Sequence, residues 1–187
     1  GKDYLTIKGP TEDYKVKRSG EGYVGYKVGI AQVQENGSNS YDGINQKMTN
    51  SSTGKINFFG ERSIGMYVYL PGSTTHAIMK NEGEINLRGS ESYGMKIAAK
   101  SADRAEMVNT STGKINVNST IAELTAAEKA ANKKQAFNMG MRADSHSGAE
   151  IRNEGEITID GAYAIGMLAK GSRLVNTKTI SSTNVKN

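Results

Sequence analysis

Few side chains in this chain have the type and spacing that catalysis or metal binding requires. The two histidines are His76 and His146, and they stand five and seven residues before the asparagine of their own repeat, so they do not share a register. The absence of cysteine excludes thiolate nucleophiles, thiolate metal sites and a disulfide framework. We therefore expect surface histidines, no catalytic residue, no metal site and no cofactor.

Methionines at regular places are the second feature that could suggest chemistry. Each follows a glycine, and they stand at Met66, Met95, Met141 and Met167. A stack of thioethers suggests a metal, but thioethers at strand spacing are far more typical of flexible core side chains. We predict that these methionines fill an interior.

The elements that carry these residues are repeats. Residues 81–85 and 153–157 both read Asn-Glu-Gly-Glu-Ile, and three motifs recur in fixed order around them. The first motif places apolar residues two positions apart, at Leu5/Ile7, Ile56/Phe58, Ile85/Leu87, Ile115/Val117 and Ile157/Ile159, with a final Ile180. The second follows a glycine with the same spacing, at Tyr26/Val28, Met66/Val68, Met95/Ile97, Met141/Ala143 and Met167/Ala169. The third ends in asparagine, at Met48/Asn50, Met79/Asn81, Met107/Asn109, Ile151/Asn153 and Leu174/Asn176.

Apolar residues at a spacing of two indicate strands with one buried face. Three such strands cannot bury their faces alone, but coils stacked on one another share an interior. Residues 1–187 are therefore predicted to form one all-β domain, a parallel β-solenoid with three strands per coil, about five coils and extruded loops. The inward asparagines of the third motif are predicted to form a structural ladder of amide hydrogen bonds, through Asn50, Asn81, Asn109, Asn153 and Asn176.

Three insertions interrupt the regular spacing. Residues 10–22 are predicted to be a loop insertion or a cap, residues 29–45 a loop insertion, and residues 118–136 a short α-helical insertion. The last is alanine-rich and lacks Gly and Pro, which favours a helix. Thr120 and Glu123 fit a capping box at its start.

The helical insertion offers candidate ligand contacts. The candidates are Lys129, Lys133 and Lys134. Glu128, Lys129 and Lys133 are predicted to face outward, and Lys133 and Lys134 stand near the helix C-terminus, where the helix dipole favours cations. Ile121, Leu124 and Ala131 are expected to face the coils. The alternative is that this helix only covers a corner of the solenoid.

The earlier insertions carry a second set of candidate contacts. Tyr14, Arg18 and Tyr41 combine aromatic and basic side chains, which suit a glycan or a protein surface. The alternative is a cap, since terminal solenoid repeats need shielding. The net charge is +5, but no long basic run is present, so no nucleic-acid partner is expected.

Residues 81–89 (NEGEINLRG) with Gly94-Met95, and residues 153–161 (NEGEITIDG) with Gly166-Met167, carry a resemblance to a known family. The pattern resembles the passenger repeats of large fusobacterial-type type V autotransporter adhesins. The resemblance implies a right-handed parallel β-helix, display on the bacterial cell surface, and attachment to other bacteria or host cells through a surface protein or glycan. It also implies a passenger fragment of a virulence-associated protein that a C-terminal barrel, outside this sequence, anchors in the outer membrane.

Two other functions stay open at this point. The chain could be a structural stalk of an autotransporter, because regular coils suit both roles. It could also be a carbohydrate-active β-helix enzyme, which would need Asp, or Lys and Arg, converging on one strand face. The outward positions of the second motif are Lys96, Arg142 and Leu168, with no convergent carboxylate expected beside them, so we do not predict an enzyme.

Overall fold

The computed structural model describes residues 15–18, 22–33, 45–70, 76–99, 105–145 and 150–182. Tyr14, Tyr41, His146 and the first-motif pair Leu5/Ile7 lie outside these residues. So do most of the predicted 10–22 and 29–45 insertions.

Three sheets of five parallel strands make up the body of the molecule. Sheet 1 contains β3 (Lys27–Val33), β6 (Ser63–Leu70), β9 (Tyr93–Ala99), β12 (Asn138–Ser145) and β15 (Ala164–Lys170). Sheet 2 contains β4 (Asn45–Asn50), β7 (His76–Asn81), β10 (Ala105–Asn109), β13 (Glu150–Asn153) and β16 (Arg173–Asn176). Sheet 3 contains β5 (Lys55–Phe59), β8 (Glu84–Gly89), β11 (Lys114–Ser119), β14 (Glu156–Asp160) and β17 (Ile180–Ser182).

The chain visits the sheets in the order 1, 2, 3 five times, and each strand pairs in parallel with its equivalents in the coils above and below. This is a right-handed β-helix with three strands per coil and five coils, so the predicted fold class is confirmed. Parallel stacking explains the repeated motifs, because each motif position must suit the same position one coil away. Among the described residues, no helix is long and apolar enough to cross a bilayer.

The interior is filled by columns of like residues. Met66, Met95 and Met141 lie in neighbouring positions of sheet 1 and are fully buried. Ile85 and Ile115 form the equivalent column of sheet 3 and are also fully buried. The methionines therefore contact aliphatic side chains and act as core residues. Burying such a side chain fully stabilises the fold by about 1.5–3 kcal/mol.

A column of glycines explains the Gly-Met motif. A Cβ on Gly65 would lie 2.6 Å from the carbonyl oxygen of Gly94 and 2.7 Å from Cγ2 of Ile85. Each glycine thus sits where the neighbouring coil leaves no room for a side chain. Glycine is required at this position in the strand because adjacent backbones approach too closely there for a side chain.

This glycine column corrects the predicted register of the first coil. Ile30 pairs with Met66, so Ile30 occupies the methionine position and Gly29 precedes it; the prediction of Tyr26 in that position was wrong. Both Gly25 and Gly29 precede an apolar residue, and only pairing with β6 decides between them. Tyr26 instead joins a separate cluster and is 2% exposed.

That separate cluster lies on the outer face of sheet 1 and was not predicted. It contains buried side chains from four successive strands of sheet 1 and from Tyr26, which precedes β3; its members are Tyr26, Val28, Ile64, Tyr67, Tyr93 and Met139. Sheet 1 is therefore apolar on both faces. A strand that is buried on both faces loses the apolar-polar alternation from which we inferred its orientation.

The segments that were predicted as early loops contain strands in part. β1 (Lys15–Arg18) pairs antiparallel with β2 (Gly22–Gly25), so residues 10–22 include one strand of a hairpin. β3 continues to Val33, and β4 begins at Asn45. The predicted start of the second insertion at residue 29 was therefore wrong, because residues 30–33 pair with β6.

Candidate functional site

The largest described departure from the regular coil leaves the corner between sheet 3 and sheet 1. At this corner three coils use a short turn whose first residue is a glycine with positive φ: Gly60, Gly89 or Gly161. In the third coil Ser119 takes the place of that glycine, pairing with Gly89. The chain then leaves the coil and returns at Asn138, which begins β12. We call residues 120–137 the corner insertion.

The helix inside the corner insertion is shorter than predicted and begins later. α1 spans Ala126–Ala130, with Thr125 as its N-cap. The capping box is formed by Thr125 and Glu128, so the predicted box of Thr120 and Glu123 was wrong. The backbone N–H of Thr120 donates to the carbonyl of Gly89 in the previous coil, which holds Thr120 on the solenoid.

Two of the three predicted contact lysines form ion pairs within the corner insertion. Lys129 pairs with Glu123, and Lys133 lies 2.7 Å from Glu128. Hydrogen bonds from Lys133 and from Thr125 lower the pKa of Glu128 to about 2. These four charges therefore brace the insertion, although all of them stay accessible. Lys134 is also exposed.

Gln135 closes the corner insertion on itself. Its side-chain amide donates to the carbonyl of Ala122 at 3.1 Å and accepts from the N–H of Leu124 at 3.2 Å. Leu124 and Ile121 are half-buried, but Ala131 is exposed, so the expectation that Ala131 faces the coils was wrong. The helix ends at Ala130, which leaves Ala131 in a turn.

An aromatic contact anchors the returning end of the corner insertion. The rings of Phe137 and Tyr163 meet edge to face, with centroids 5.9 Å apart. Tyr163 belongs to the regular corner of the next coil and has a φ of 56°. The insertion is thus braced internally and fixed at both ends, which gives a preformed surface rather than a loose loop.

The asparagines of the third motif form a continuous ladder through the corner after sheet 2. Asn50 donates to Asn81, Asn81 to Asn109, Asn109 to Asn153, and Asn153 to Asn176, each at 2.8 Å. The carboxamide of Asn109 also lies 3.3 Å from the carbonyl oxygens of Gly113 and Glu156. The ladder therefore supplies partners to turn carbonyls in every coil that it crosses.

A second buried polar column lies at the corner between sheet 3 and sheet 1, and the sequence reasoning missed it. The N–H of Ser63 donates to Oγ of Ser92, and the N–H of Ser92 donates to Oδ1 of Asn138 at 2.8 Å. Asn138 in turn donates to the carbonyl of Gly89 at 2.7 Å. Asn138 thus forms hydrogen bonds with backbone groups of the neighbouring coil at the corner where the insertion has replaced the regular turn.

The outer face of sheet 1 brings together the charged cluster that would be needed for enzymatic chemistry on a β-helix. Lys96 lies 2.9 Å from Asp144, and Nε of Arg142 lies 3.0 and 2.9 Å from its two carboxylate oxygens. Lys96 and Arg142 also lie over the ring of Tyr93, at 4.6 and 5.5 Å from its centroid. The expectation of no convergent carboxylate was therefore wrong. The missed signal is that Asp144 stands two residues after Arg142, on the same face of β12.

Burial decides the electrostatics of this cluster. Lys96 is 2% exposed, and desolvation lowers its pKa to about 8 even though Asp144 favours the charged form. Burial opposes ionisation of Asp144, but Lys96 and Arg142 together hold its pKa below the ordinary value. The ammonium of Lys96 has little surface at which a substrate could approach it. The cluster therefore fits a structural ion triad that joins β9 to β12.

The outer face of sheet 2 carries ion pairs around a shallow depression of about 250 Å³ near Lys80 and Val108. Arg152 pairs with Glu150 and with Glu154, and Arg173 pairs with Glu150 at 3.3 Å. Among the residues that the structure describes, no group of three or more His, Cys, Asp or Glu side chains could hold a metal ion.

The remaining predicted contact residues are not brought to one place by the described structure. Arg18 ends β1, whose side chains are not described, and Tyr14 and Tyr41 lie outside the described residues. His76 begins β7. Only the corner insertion therefore has a described geometry in which several predicted contacts, Lys129, Lys133 and Lys134, lie together.

A comparison with protein families matches residues 11–187 to the BigA third pectate lyase-like domain. The match covers both the described coils and most of the early segments. Comparisons with curated proteins and with solved structures gave no match.

Proposed function

The chain belongs to the family of the BigA third pectate lyase-like domain, and on that premise we propose that it attaches a bacterial cell to other bacteria or to host cells. BigA is an autotransporter-type adhesin, so membership makes the chain a candidate passenger region at the cell surface. The partner that we propose is a protein or glycan of the opposing surface. The β-helix is the scaffold, and the corner insertion is its recognition element.

The observation that carries this proposal is the internal bracing of the corner insertion. Lys129 and Lys133 are paired within it, and Gln135 ties its two halves together. A braced surface loses little conformational freedom when it binds, which favours recognition. Loops on a rigid scaffold are also where repeat proteins commonly place binding residues.

The decisive experiment exchanges the corner insertion for the regular corner. In the exchange variant, residues 119–137 are replaced by Gly-Ser-Glu, the sequence that forms the corner at residues 89–91. Binding of the purified chain and of the variant is measured on a glycan array and on bacterial and host-cell surfaces. We expect specific binding by the natural chain and its loss in the variant, with the β-sheet circular dichroism spectrum unchanged.

A point variant with a matched control tests the same idea without shortening the chain. Lys134→Ala removes an exposed charge from the corner insertion, and Lys178→Ala removes an exposed charge from the turn after β16. We expect only Lys134→Ala to weaken cell binding, while the unfolding transitions of both variants stay within about 0.5 kcal/mol of the natural chain. Equal effects of the two variants would contradict a specific role for the insertion.

A structural stalk is the second candidate function. The regular asparagine ladder favours it, because regular coils suit a spacer as well as an adhesive domain. If neither the natural chain nor the exchange variant binds any surface while both are folded, the domain is a spacer that holds another region away from the cell.

We also propose that the domain is not an enzyme. The supporting observation is that Lys96, one of the two basic residues that contact Asp144 on the outer face of sheet 1, is 2% exposed. Incubation with acidic and neutral polysaccharides, followed by reducing-end and unsaturated-product assays, tests this. Cleavage that disappears in Lys96→Met would overturn it.

A further inference from the structure

A row of polar side chains crosses the outer face of sheet 3. Asn57, Asn86 and Asn116 are register neighbours on β5, β8 and β11, and Thr158 continues the row on β14. Asn86 donates to Oδ1 of Asn57 at 2.7 Å, and Asn116 donates to Oδ1 of Asn86 at 2.7 Å. Unlike the buried ladder at the sheet 2 corner, this outer row is exposed or half-buried.

The outer row keeps hydrogen-bonding capacity after its internal bonds are made. A carboxamide has two N–H donors and two acceptor lone pairs. Asn86 uses one donor and one acceptor along the row, so one donor and one acceptor lone pair are left for a further partner. Successive strands are about 4.8 Å apart, which sets the spacing of these groups. Because the row is already ordered, a ligand would not have to immobilise these side chains.

An aromatic side chain lies at one end of the outer row, and the charged side chains beside the row are of both signs. Phe59 lies two residues beyond Asn57 on the same face and is 70% exposed. On the other side of the row, Lys55 lies 3.5 Å from Glu84, and Lys114 lies 4.0 Å from Glu156. Arg88, the register neighbour of Phe59, adds a third cation, and Asp160 adds a third carboxylate in the same register two strands further on. Cations and carboxylates are therefore equal in number on this face, which has no excess of positive charge for an anionic ligand.

Sheet 3 differs in this respect from the other two sheets. The outer face of sheet 1 is an apolar cluster with a buried ion triad. The described outer face of sheet 2 is filled by the ion pairs around Arg152. Only the outer face of sheet 3, within the described coils, presents a row of ordered amides beside an exposed aromatic ring.

We propose that the outer face of sheet 3 binds an extended, neutral polysaccharide that lies across the strands, along the stacking direction of the coils. Sugar hydroxyls both donate and accept, as carboxamides do, and the rise of one hexose ring in an extended β(1→4)-linked chain is close to the strand spacing. Each ring can therefore meet one side chain of the outer row, and Phe59 supplies an apolar surface for a ring face. A protein partner would need a cluster of large anchor side chains, and this face has one exposed aromatic ring.

This site is separate from the corner insertion, so it does not depend on the proposed function of that segment. Affinity electrophoresis of the purified chain through gels that contain hydroxyethylcellulose, glucomannan or polygalacturonate provides the first measurement. We expect retardation by one of the neutral polymers and none by polygalacturonate. Titration calorimetry with cellohexaose or mannohexaose then gives the affinity.

Substitutions on sheet 3 test whether the polysaccharide binds there. We expect N86A/N116A to weaken binding about tenfold or more, since two polar contacts of about 0.5–1.5 kcal/mol each are lost. Phe59→Ala, at an exposed position that leaves folding intact, is expected to weaken it several-fold. The matched control is T49A/K80A, which changes two exposed register neighbours on sheet 2.

The same experiments can overturn the proposal in several ways. It fails if no neutral polymer retards the chain, if polygalacturonate alone does, or if the Phe59→Ala and N86A/N116A variants bind as well as T49A/K80A. The exchange variant that lacks the corner insertion should still be retarded. Loss of polysaccharide binding in that folded variant would move the site to the insertion.

Discussion

The ammonium of Lys96 lies 2.9 Å from the carboxylate of Asp144 on the neighbouring strand, and Arg142 holds the same carboxylate from its own strand. Two cations thus share one anion on a largely buried face. Lone charges are costly to bury, so the triad depends on Asp144 more than on either cation. Two predictions follow from this arrangement.

Asp144→Asn should lower the free energy of unfolding by about 3–5 kcal/mol, because it leaves Lys96 and Arg142 buried without their counter-charge. Lys96→Met should lower the free energy of unfolding much less. Methionine fills a similar volume beside Tyr93, and Asp144 still has Arg142 as its ion-pair partner. Urea unfolding followed by circular dichroism measures both variants. Glu156→Gln, which removes an exposed carboxylate, is the control and should have an effect below about 0.5 kcal/mol. A loss for Lys96→Met equal to that for Asp144→Asn would contradict this account.

The stability of the natural chain should contain a component that increases with pH. Burial holds the pKa of Lys96 at about 8, below the 10.5 of an ordinary lysine. Between these pH values the unfolded chain binds more protons than the folded chain, so the contribution of Lys96 to the free energy of unfolding rises with pH. The rise is at most about 3 kcal/mol. Urea unfolding of the natural chain and of Lys96→Met at pH 7 to 10.5 measures it. Parallel pH curves for the two proteins would disprove it.

The asparagine ladder should be most sensitive at its centre. Asn109 is fully buried and bonded to Asn81 and Asn153, so Asn109→Ala leaves several buried groups unpaired and should cost about 2–4 kcal/mol. Asn176 is exposed in the last described coil, and Asn176→Ala should cost less than about 1 kcal/mol. Urea midpoints of the two variants give the comparison. Similar losses at both positions would mean that the ladder does not act through buried hydrogen bonds.

The glycine column offers a matched pair of substitutions. A Cβ on Gly94 would lie 2.5 Å from the carbonyl oxygen of Gly140, a backbone atom that cannot move without shifting a coil. The three atoms nearest to a Cβ on Gly166 belong to the side chain of Ile180, which is 37% exposed in the last described strand and can shift without moving a coil. Gly94→Ala should cost about 3 kcal/mol or more, and Gly166→Ala about 1 kcal/mol or less. Thermal unfolding measures both, and an equal loss would show that the clash with backbone is not decisive.

The coil architecture was predictable because it depends on local spacing. Alternation of apolar residues at Ile85/Leu87 or Met95/Ile97 specifies a strand and its inward face, and repetition of the motifs specifies stacking. The glycine before each methionine was visible as well. The physical reason for that glycine could not be predicted, because the atom that it approaches closely is a carbonyl oxygen of another coil.

The candidate sites were predictable only in part. The position of the corner insertion followed from an interruption in the repeat. Its N-cap did not, since Thr120 and Thr125 each stand three residues before a glutamate and only the pairing of Thr120 with Gly89 decides between them. In the same way, Tyr26/Val28 fits the second motif better than Ile30/Gln32 does, and only pairing with Met66 places Ile30 in the methionine position.

The sequence by itself determined what repeats within the chain: three strands per coil, the inward methionines and isoleucines, and the asparagine column. These follow from the side-chain period of two and from stacking of like on like. Only the tertiary structure decided which outward residues bond across strands, as Lys96 and Asp144 do on sheet 1; on sheet 3 the repeat register aligns the outer asparagines, and the structure adds their hydrogen bonds. Such contacts depend on the register between residues that stand some 30 to 50 positions apart in the sequence, and outward positions need not repeat a pattern because no shared interior constrains them.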